Sequence, residues 1–248
     1  MQGGERFRRP PAISPNHCGC FLTTATANRA KLPNRELGDF ALYCASYAAC
    51  VFGMASFDNA IVVPMELRVQ PLTIDLWPAI EDLFENGTAC KRCWCMYWRI
   101  GSAYNKRPAE VNKAAFYGIV QAGPPPGLLA FDGDTVVGWC QLSSRDSLPW
   151  LDRTPNLKRV DGLPVWCITC FYVRKGYRKQ GITSALIREA LNAARNAGVL
   201  ALEAYPLDRD LTSSSSFTGF ASTFLKLGFK TVARRVPPRP IMRHTLER

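Results

Sequence analysis

From Met65 onward the apolar positions fall into short repeating patterns, and these predict an ordered series of strands and helices. Glu66–Gln70 alternates polar and apolar residues, the period of a half-buried strand. Leu76, Ile80, Leu83 and Phe84 then recur at helical spacing behind Thr73 and Asp75, either of which can cap the first turn. Asn86-Gly87 ends that helix. A second helix is predicted over Pro108–Ala122, and Gly123 with the three prolines after it is a firm break. Gly127–Phe131 and Thr135–Leu142 read as two strands of a hairpin turned at Asp132-Gly133-Asp134. Ser143–Leu163 reads as a loop, and Pro164–Val173 as a strongly apolar strand. Along Ile182–Ala197, Leu186, Ile187, Ala190, Leu191 and Ala194 share one helical face, while Arg188, Glu189, Asn192 and Arg195 share the other. Gly198 ends this helix. Val199–Tyr205 is predicted as a strand, Thr218–Leu227 as a helix closed by Gly228, and Phe229–Arg235 as the last strand. Thr212–Ser216 is a low-complexity stretch expected to be a mobile loop. The order of elements implies a mixed α/β sheet with helices packed on it.

Residues 1–64 lack any sustained period and are punctuated by Pro10, Pro11, Pro15 and Pro33. They are expected to form a partly disordered extension with one helix near 37–55, ahead of a domain spanning 65–248. Met65 opens a self-contained pattern, so the extension could also reflect the choice of start site. Phe40–Phe57 is uncharged but rich in Ala and Ser, interrupted by Gly53 and closely followed by Asp58. It falls short of the ~20 strongly apolar residues of a membrane span.

Composition narrows the class. A hydrophobic fraction of 47% over 248 residues is enough for a large core without metal or disulfide support. The ten cysteines therefore point to reduced thiols, and the expected location is the cytoplasm. The formal charge of +11 favours anionic partners. No basic helix, zinc-finger spacing or RNA-binding aromatic motif accompanies it, so neither nucleic acid nor a membrane is the expected partner. The two histidines, His17 and His244, are remote from one another and from the motif below, which argues against a Ser-His-Asp hydrolase. The spacing of a Walker loop is not met either.

One segment carries recognisable chemistry. Val173–Ser184 reads as the end of an apolar strand, a cationic turn with Arg174, Lys175, Arg178 and Lys179, and a helix start near Ile182. A helix start offers unpaired N–H groups and the positive end of its dipole, which together bind phosphate. Gly181 removes a side chain where a diphosphate would approach the backbone, and Thr183 and Ser184 can add hydroxyl donors. The run Arg178-Lys179-Gln180-Gly181-Ile182-Thr183 resembles motif A of the Gcn5-related N-acetyltransferase (GNAT) superfamily, with Thr183 where Gly or Ala is usual. Phe224-Leu-Lys-Leu-Gly228-Phe229 resembles the superfamily's last helix and strand. The resemblance spans roughly residues 65–235.

The resemblance implies a mostly antiparallel sheet splayed at its central parallel strands, with helices on both faces. It implies acetyl-CoA as acyl donor, with pantetheine near Phe171 and Val173 and the pyrophosphate on the backbone of Arg178, Lys179, Gln180, Gly181, Thr183 and Ser184. It further implies direct attack on the thioester by the amine of a small molecule or peptide, in a monomer or homodimer. The superfamily often places a tyrosine four residues before the last glycine as the acid; this chain has Phe224 there. Tyr205 is the candidate replacement acid, with packing as its other reading. Glu203 or Asp208 could serve as base, or be an exposed charge.

Cys90-Lys-Arg-Cys93-Trp-Cys95 contains a zinc-ligand spacing, yet no second pair matches it. Cys167 and Cys170 lie on a predicted strand, whose alternation should turn them to opposite faces. No metal site is therefore assigned, and buried or pocket-lining thiols are expected. Trp94, Tyr97 and Trp98 either line the acceptor pocket or pack in the core; Trp139 and Trp166 are expected in the core. Two further functions stay open: a CoA-binding regulatory module without turnover, and a thiol-based metal or redox sensor.

Overall fold

The structure, a computed structural model, describes residues 67–87, 90–208 and 213–247. The expected extension 1–64, with its helix near 37–55, lies outside the described residues.

Strand β1 (Leu67–Pro71) leads into helix α1 (Trp77–Glu85). Two single-turn helices, α2 (Cys90–Cys93) and α3 (Tyr97–Ile100), come before α4 (Ala109–Ala122). The hairpin β2 (Gly127–Asp132) and β3 (Thr135–Ser144) follows, then a connection carrying short α5 (Trp150–Arg153). Strand β4 (Trp166–Val173), α6 (Ile182–Asn196), β5 (Ala201–Ala204), α7 (Ala221–Lys226), β6 (Lys230–Val236) and β7 (Arg239–Thr245) complete the fold.

The seven strands form one sheet in the order β1-β2-β3-β4-β5-β7-β6. Every neighbouring pair is antiparallel except β4–β5, which is parallel. The mixed, mostly antiparallel sheet inferred from the resemblance is therefore present. Strand β7 was not expected from the sequence. Pro237, Pro238 and Pro240 mask it, yet Ile241 and Met242 are buried and the strand inserts between β5 and β6. Ser213–Thr218, which includes the described part of the low-complexity stretch, forms a 3-10 turn, and α7 starts only at Ala221.

Helices α6 and α7 bury their apolar stripes against Ala130, Val137, Cys140, Ile168 and Phe171. On the other face, α1 and α4 close an aromatic cluster of Phe84, Trp94, Phe116 and Trp139. Trp139 is fully buried as expected, whereas Trp166 is half-buried against the α6 cluster.

The β4–β5 pairing is short and has a local cause. It covers only Trp166–Ile168 against Leu202–Ala204. Against β3, Gln141 pairs with Cys170 but Leu142 pairs with Ile168, so Thr169 is an extra, bulged residue. A bulge bends its strand and sharpens its twist. Beyond it, β4 leaves β5 and the sheet opens.

Candidate active site

The bulge is held from two sides. Trp98 donates from Nε1 to the Thr169 carbonyl at 3.1 Å. The Thr169 hydroxyl donates to Gln141 Oε1 at 2.8 Å, and Gln141 Nε2 donates to the Cys95 carbonyl at 3.3 Å. Gln141 and Thr169 are fully buried, so these bonds satisfy polar groups that would otherwise destabilise the opening.

The bulge also corrects an expectation about the cysteines. Gln141 and Ser143, two residues apart on β3, share a face, and their partners are Cys170 and Cys167. Regular alternation would turn the two cysteines apart; the extra residue turns them to the same side. Among the described residues, no group of three or more His, Cys, Asp or Glu side chains is arranged to hold a metal ion.

Past the bulge lies a cleft of about 790 Å³. One end is lined by Val173, Arg178, Lys179 and Thr183. Aromatic and thiol groups line the remainder, among them Tyr97, Trp98, Tyr104, Phe217 and Phe220.

The cationic end is built by left-handed backbone. Gly176, Lys179 and Gly181 have φ of 95°, 64° and 82°. Gly181 is the N-cap of α6, no side chain caps the helix, and a Cβ there would meet nothing within 4 Å. The first helical bond runs from Ala185 N to Gly181 O, so the amides before it point outward into open space. Gln180 braces the turn by donating from Nε2 to Gly176 O at 2.9 Å. Backbone amides converging at a helix start, with the Arg178 and Lys179 cations beside them, suit a diphosphate. Of the other two expected cations, Lys175 does not line the cleft and Arg174 is engaged elsewhere. Its guanidinium is spent on Asp82 and on the Val136 carbonyl.

Of the residues expected to hold the donor, Phe171, Val173, Arg178, Lys179 and Thr183 line the cleft together. Gln180, Gly181 and Ser184 belong to the adjoining turn and first helical turn.

Tyr205 and Glu203 are placed elsewhere, against the expectation of an acid and a base in the cleft. Tyr205 is 0% exposed and Glu203 is 1% exposed, and neither lines the cleft. Arg145 Nη1 donates to Glu203 Oε1 at 2.9 Å and to the Tyr205 hydroxyl, which itself donates to the same carboxylate oxygen at 2.7 Å. Arg243 Nη2 donates to Glu203 Oε2 at 2.7 Å. A carboxylate saturated by two guanidiniums and a phenol has no lone pair turned to a substrate. Burial pushes the Tyr205 phenol well above its ordinary pKa, and the Cys167 thiol beside it adds to the effect. Asp208, the other candidate base, is paired with Arg234. Phe224, in the position of the family's tyrosine, is fully buried against Phe171 and Phe229.

Pocket-lining thiols were expected, but not that cysteines from distant segments would share one cleft. Cys90, Cys93, Cys95 and Cys170 all line the cleft, although about 75 residues separate the first three from the last. Trp139 Nε1 donates to Cys95 Sγ at 3.0 Å. Burial pushes the Cys90 and Cys95 thiols up. A hydrogen bond with Cys95, then burial, pushes Cys93 up. At Cys170 a hydrogen bond with Cys95 favours the thiolate, but burial and the neighbouring thiols outweigh it and raise the pKa. Neutral thiols are apolar lining rather than nucleophiles.

The sequence model of the acetyltransferase (GNAT) family matches residues 89–210. Residues 89–210 belong to the acetyltransferase (GNAT) family. The match takes in the GNAT motif and the bulged strand and stops before α7, β6 and β7. No curated protein sequence matches the chain. Among solved structures, the chain is similar to the PaiA N-acetyltransferase from Thermoplasma acidophilum in complex with coenzyme A. The identity is 17%, covering 73% of this chain and 100% of that one, with a TM-score of 0.44. It is also similar to the GNAT domain of S. lividans PAT, at 15% identity over 73% of this chain and 90% of that one, with a TM-score of 0.46. Ard1 from Thermoplasma volcanium is a third, at 12% identity, 73% and 99% coverage and a TM-score of 0.42.

Proposed function

We propose that this protein transfers an acetyl group from acetyl-CoA to an amine by direct attack. The observation that carries this reading is the gap opened at Thr169 between β4 and β5, leading to the uncapped, cationic start of α6. Arg178, Lys179 and the amides of the Gly181 turn would hold the diphosphate of the donor. The edge of β4 past Ile168 has no strand partner among the described residues, so its peptide groups are available to pantetheine amides. One such N–H would polarise the acetyl carbonyl as charge develops on its oxygen.

Proton transfer follows from the cleft lining. No carboxylate or histidine lines it among the described residues. The amine therefore reacts in its neutral form, having lost its proton to solvent. The leaving thiolate takes a proton from water or from a hydroxyl of the cleft, such as Tyr97, Tyr104 or Thr223. A second reading, a CoA-binding module without turnover, is favoured by Phe224, whose buried ring supplies no proton.

Free-thiol release from acetyl-CoA over an amine panel separates the two readings. Release that depends on an amine supports the transferase; CoA binding with no release on any amine supports the module. Gly181→Trp projects an indole into the open space over the α6 start and should abolish CoA binding. Gly181→Asn, which tolerates the left-handed backbone, should retain most of it. Unchanged CoA affinity in Gly181→Trp would refute this placement of the diphosphate.

A further inference from the structure

Arg239, the first residue of β7, is not itself in the cleft lining but is bonded to the segment that carries Phe217 and Gly219, and no acid neutralises it among the described residues. Its Nη1 donates to the Tyr205 carbonyl and to Thr218 Oγ1, both at 2.9 Å. Thr218 lies between Phe217 and Gly219, which line the cleft. The phenol of Tyr97, another lining residue, is near enough to favour the Arg239 charge. Nε and Nη2 meet no acceptor among the described residues, and neither is sealed from solvent.

Among the described residues, Arg92, Arg99 and Arg235 likewise meet only carbonyl or hydroxyl oxygens, whereas five other arginines are paired with acids. Arg145 and Arg243 share Glu203, Arg159 meets Asp146 and Asp152, Arg174 meets Asp82 and Arg234 meets Asp208. Asp208 lies close by, since its N–H donates to the Pro238 carbonyl, but its carboxylate is taken by Arg234. Burial of Arg239 disfavours its charge, and Tyr97 partly offsets this.

We propose that the amine acceptor carries a carboxylate, as an amino acid does, and that Arg239 is the residue that binds it. This rests on the transferase reading above. A guanidinium anchored by one nitrogen presents its remaining N–H groups as a planar fork, the geometry that takes both oxygens of a carboxylate. The aromatic walls at Tyr97, Trp98 and Phe220 suit an apolar or aromatic side chain on the same molecule. A polycationic amine would find Arg178 and Lys179 in the cleft lining and, among the described lining, no carboxylate. The acceptor is thereby separated from polyamines and aminoglycosides.

The test compares phenylalanine with phenethylamine, which differ by the carboxylate alone, as acceptors for acetyl-CoA. The wild-type protein should favour phenylalanine in kcat/KM by about ten-fold or more, the worth of one charged hydrogen-bonded contact. Arg239→Gln should bring the ratio near one, chiefly through KM, and Arg239→Lys should restore part of it. The ratio is taken within each variant, so a general loss of folded protein cancels. A wild-type ratio near one, or a ratio unchanged in Arg239→Gln, overturns the proposal.

Absence of thiol release with every amine would instead count against the transferase reading. Binding of N-acetylphenylalanine and N-acetylphenethylamine, followed by tryptophan fluorescence with CoA present, then decides the Arg239 site. Tighter binding of the carboxylate that is lost in Arg239→Gln supports it, and equal binding overturns it.

Discussion

Glu203→Gln should destabilise the protein far more than an isosteric change on an exposed strand would. Glu203 Oε1 accepts from Arg145 and Tyr205, and Oε2 accepts from Arg243. Arg145, 2% exposed, also donates to Asp152 at 2.7 Å and to the Leu157 carbonyl at 2.7 Å, while Arg243 also meets Asp161. The network thus fastens the connection between β3 and β4 to β5 and β7. In the glutamine variant a single carbonyl oxygen must serve two guanidiniums, and its amide N–H groups face a cation. Removing one partner from a buried pair costs about 3–5 kcal/mol. Asp152 and Asp161 stay in place and are 40% and 47% exposed, so the lower end applies, about 3 kcal/mol. With an m-value of about 2 kcal/mol/M, the urea midpoint should fall by about 1.5 M. Replacing Arg145, Glu203 and Arg243 together by apolar residues should recover much of that loss, because the intact network spends most of its attraction on desolvation. A midpoint for Glu203→Gln within about 0.3 M of wild type would refute the view of a dry, interdependent network.

Tyr205→Phe removes the hydroxyl that bridges Arg145 to Glu203 and should cost about 1–3 kcal/mol in thermal or urea unfolding while leaving kcat per folded molecule within a few-fold; a large fall in kcat at unchanged stability would return Tyr205 to the chemistry. Stability should fall on acidification. At Asp152 burial works to raise the pKa, but the Arg145 guanidinium wins and holds it below the usual range, while the Arg243 guanidinium holds Asp161 down. Both contributions are present above the unfolded carboxylate pKa near 4 and are lost as pH drops through the lower folded values, so urea midpoints measured from pH 6 to pH 3 should decline and those of Asp152→Asn should decline less. Because burial pushes Cys90, Cys95, Cys140 and Cys167 up, Cys167 to about 12, these thiols should react slowly with iodoacetamide at neutral pH and quickly once the protein is unfolded; rapid labelling of the native protein would contradict the burial described.

Local patterns settled a good part of the fold. The amphipathic stripe of α6 is buried at the positions its spacing predicts, from Leu186 to Ala194, because a helical face is a property of neighbouring residues. The β2–β3 hairpin turns at Gly133, and the apolar run before the motif is β4. The segment proposed to hold the donor's diphosphate was legible for the same reason. A strand end, a cationic turn and a helix start lie within one stretch, from Val173 to Ser184.

What the sequence could not express was pairing between distant segments. The bulge at Thr169 exists only in the register of β4 on β3, and it turns Cys167 and Cys170 to the same face. Strand β7 follows Pro237-Pro238 and itself carries Pro240 and two arginines, and only its place between β5 and β6 accounts for the burial of Ile241 and Met242. Glu203 and Tyr205 carry the residue types of an acid and a base. Arg145, about 60 residues away in the chain, claims both and makes them part of the framework. By itself, then, the sequence determined most of the strands, the longer helices and the cationic turn before α6, since each depends on residues a few positions apart. Tertiary structure alone decided where the sheet opens, which thiols and aromatic rings share the cleft, and which arginines meet no acid among the described residues, since each of these depends on contacts between residues far apart in the chain.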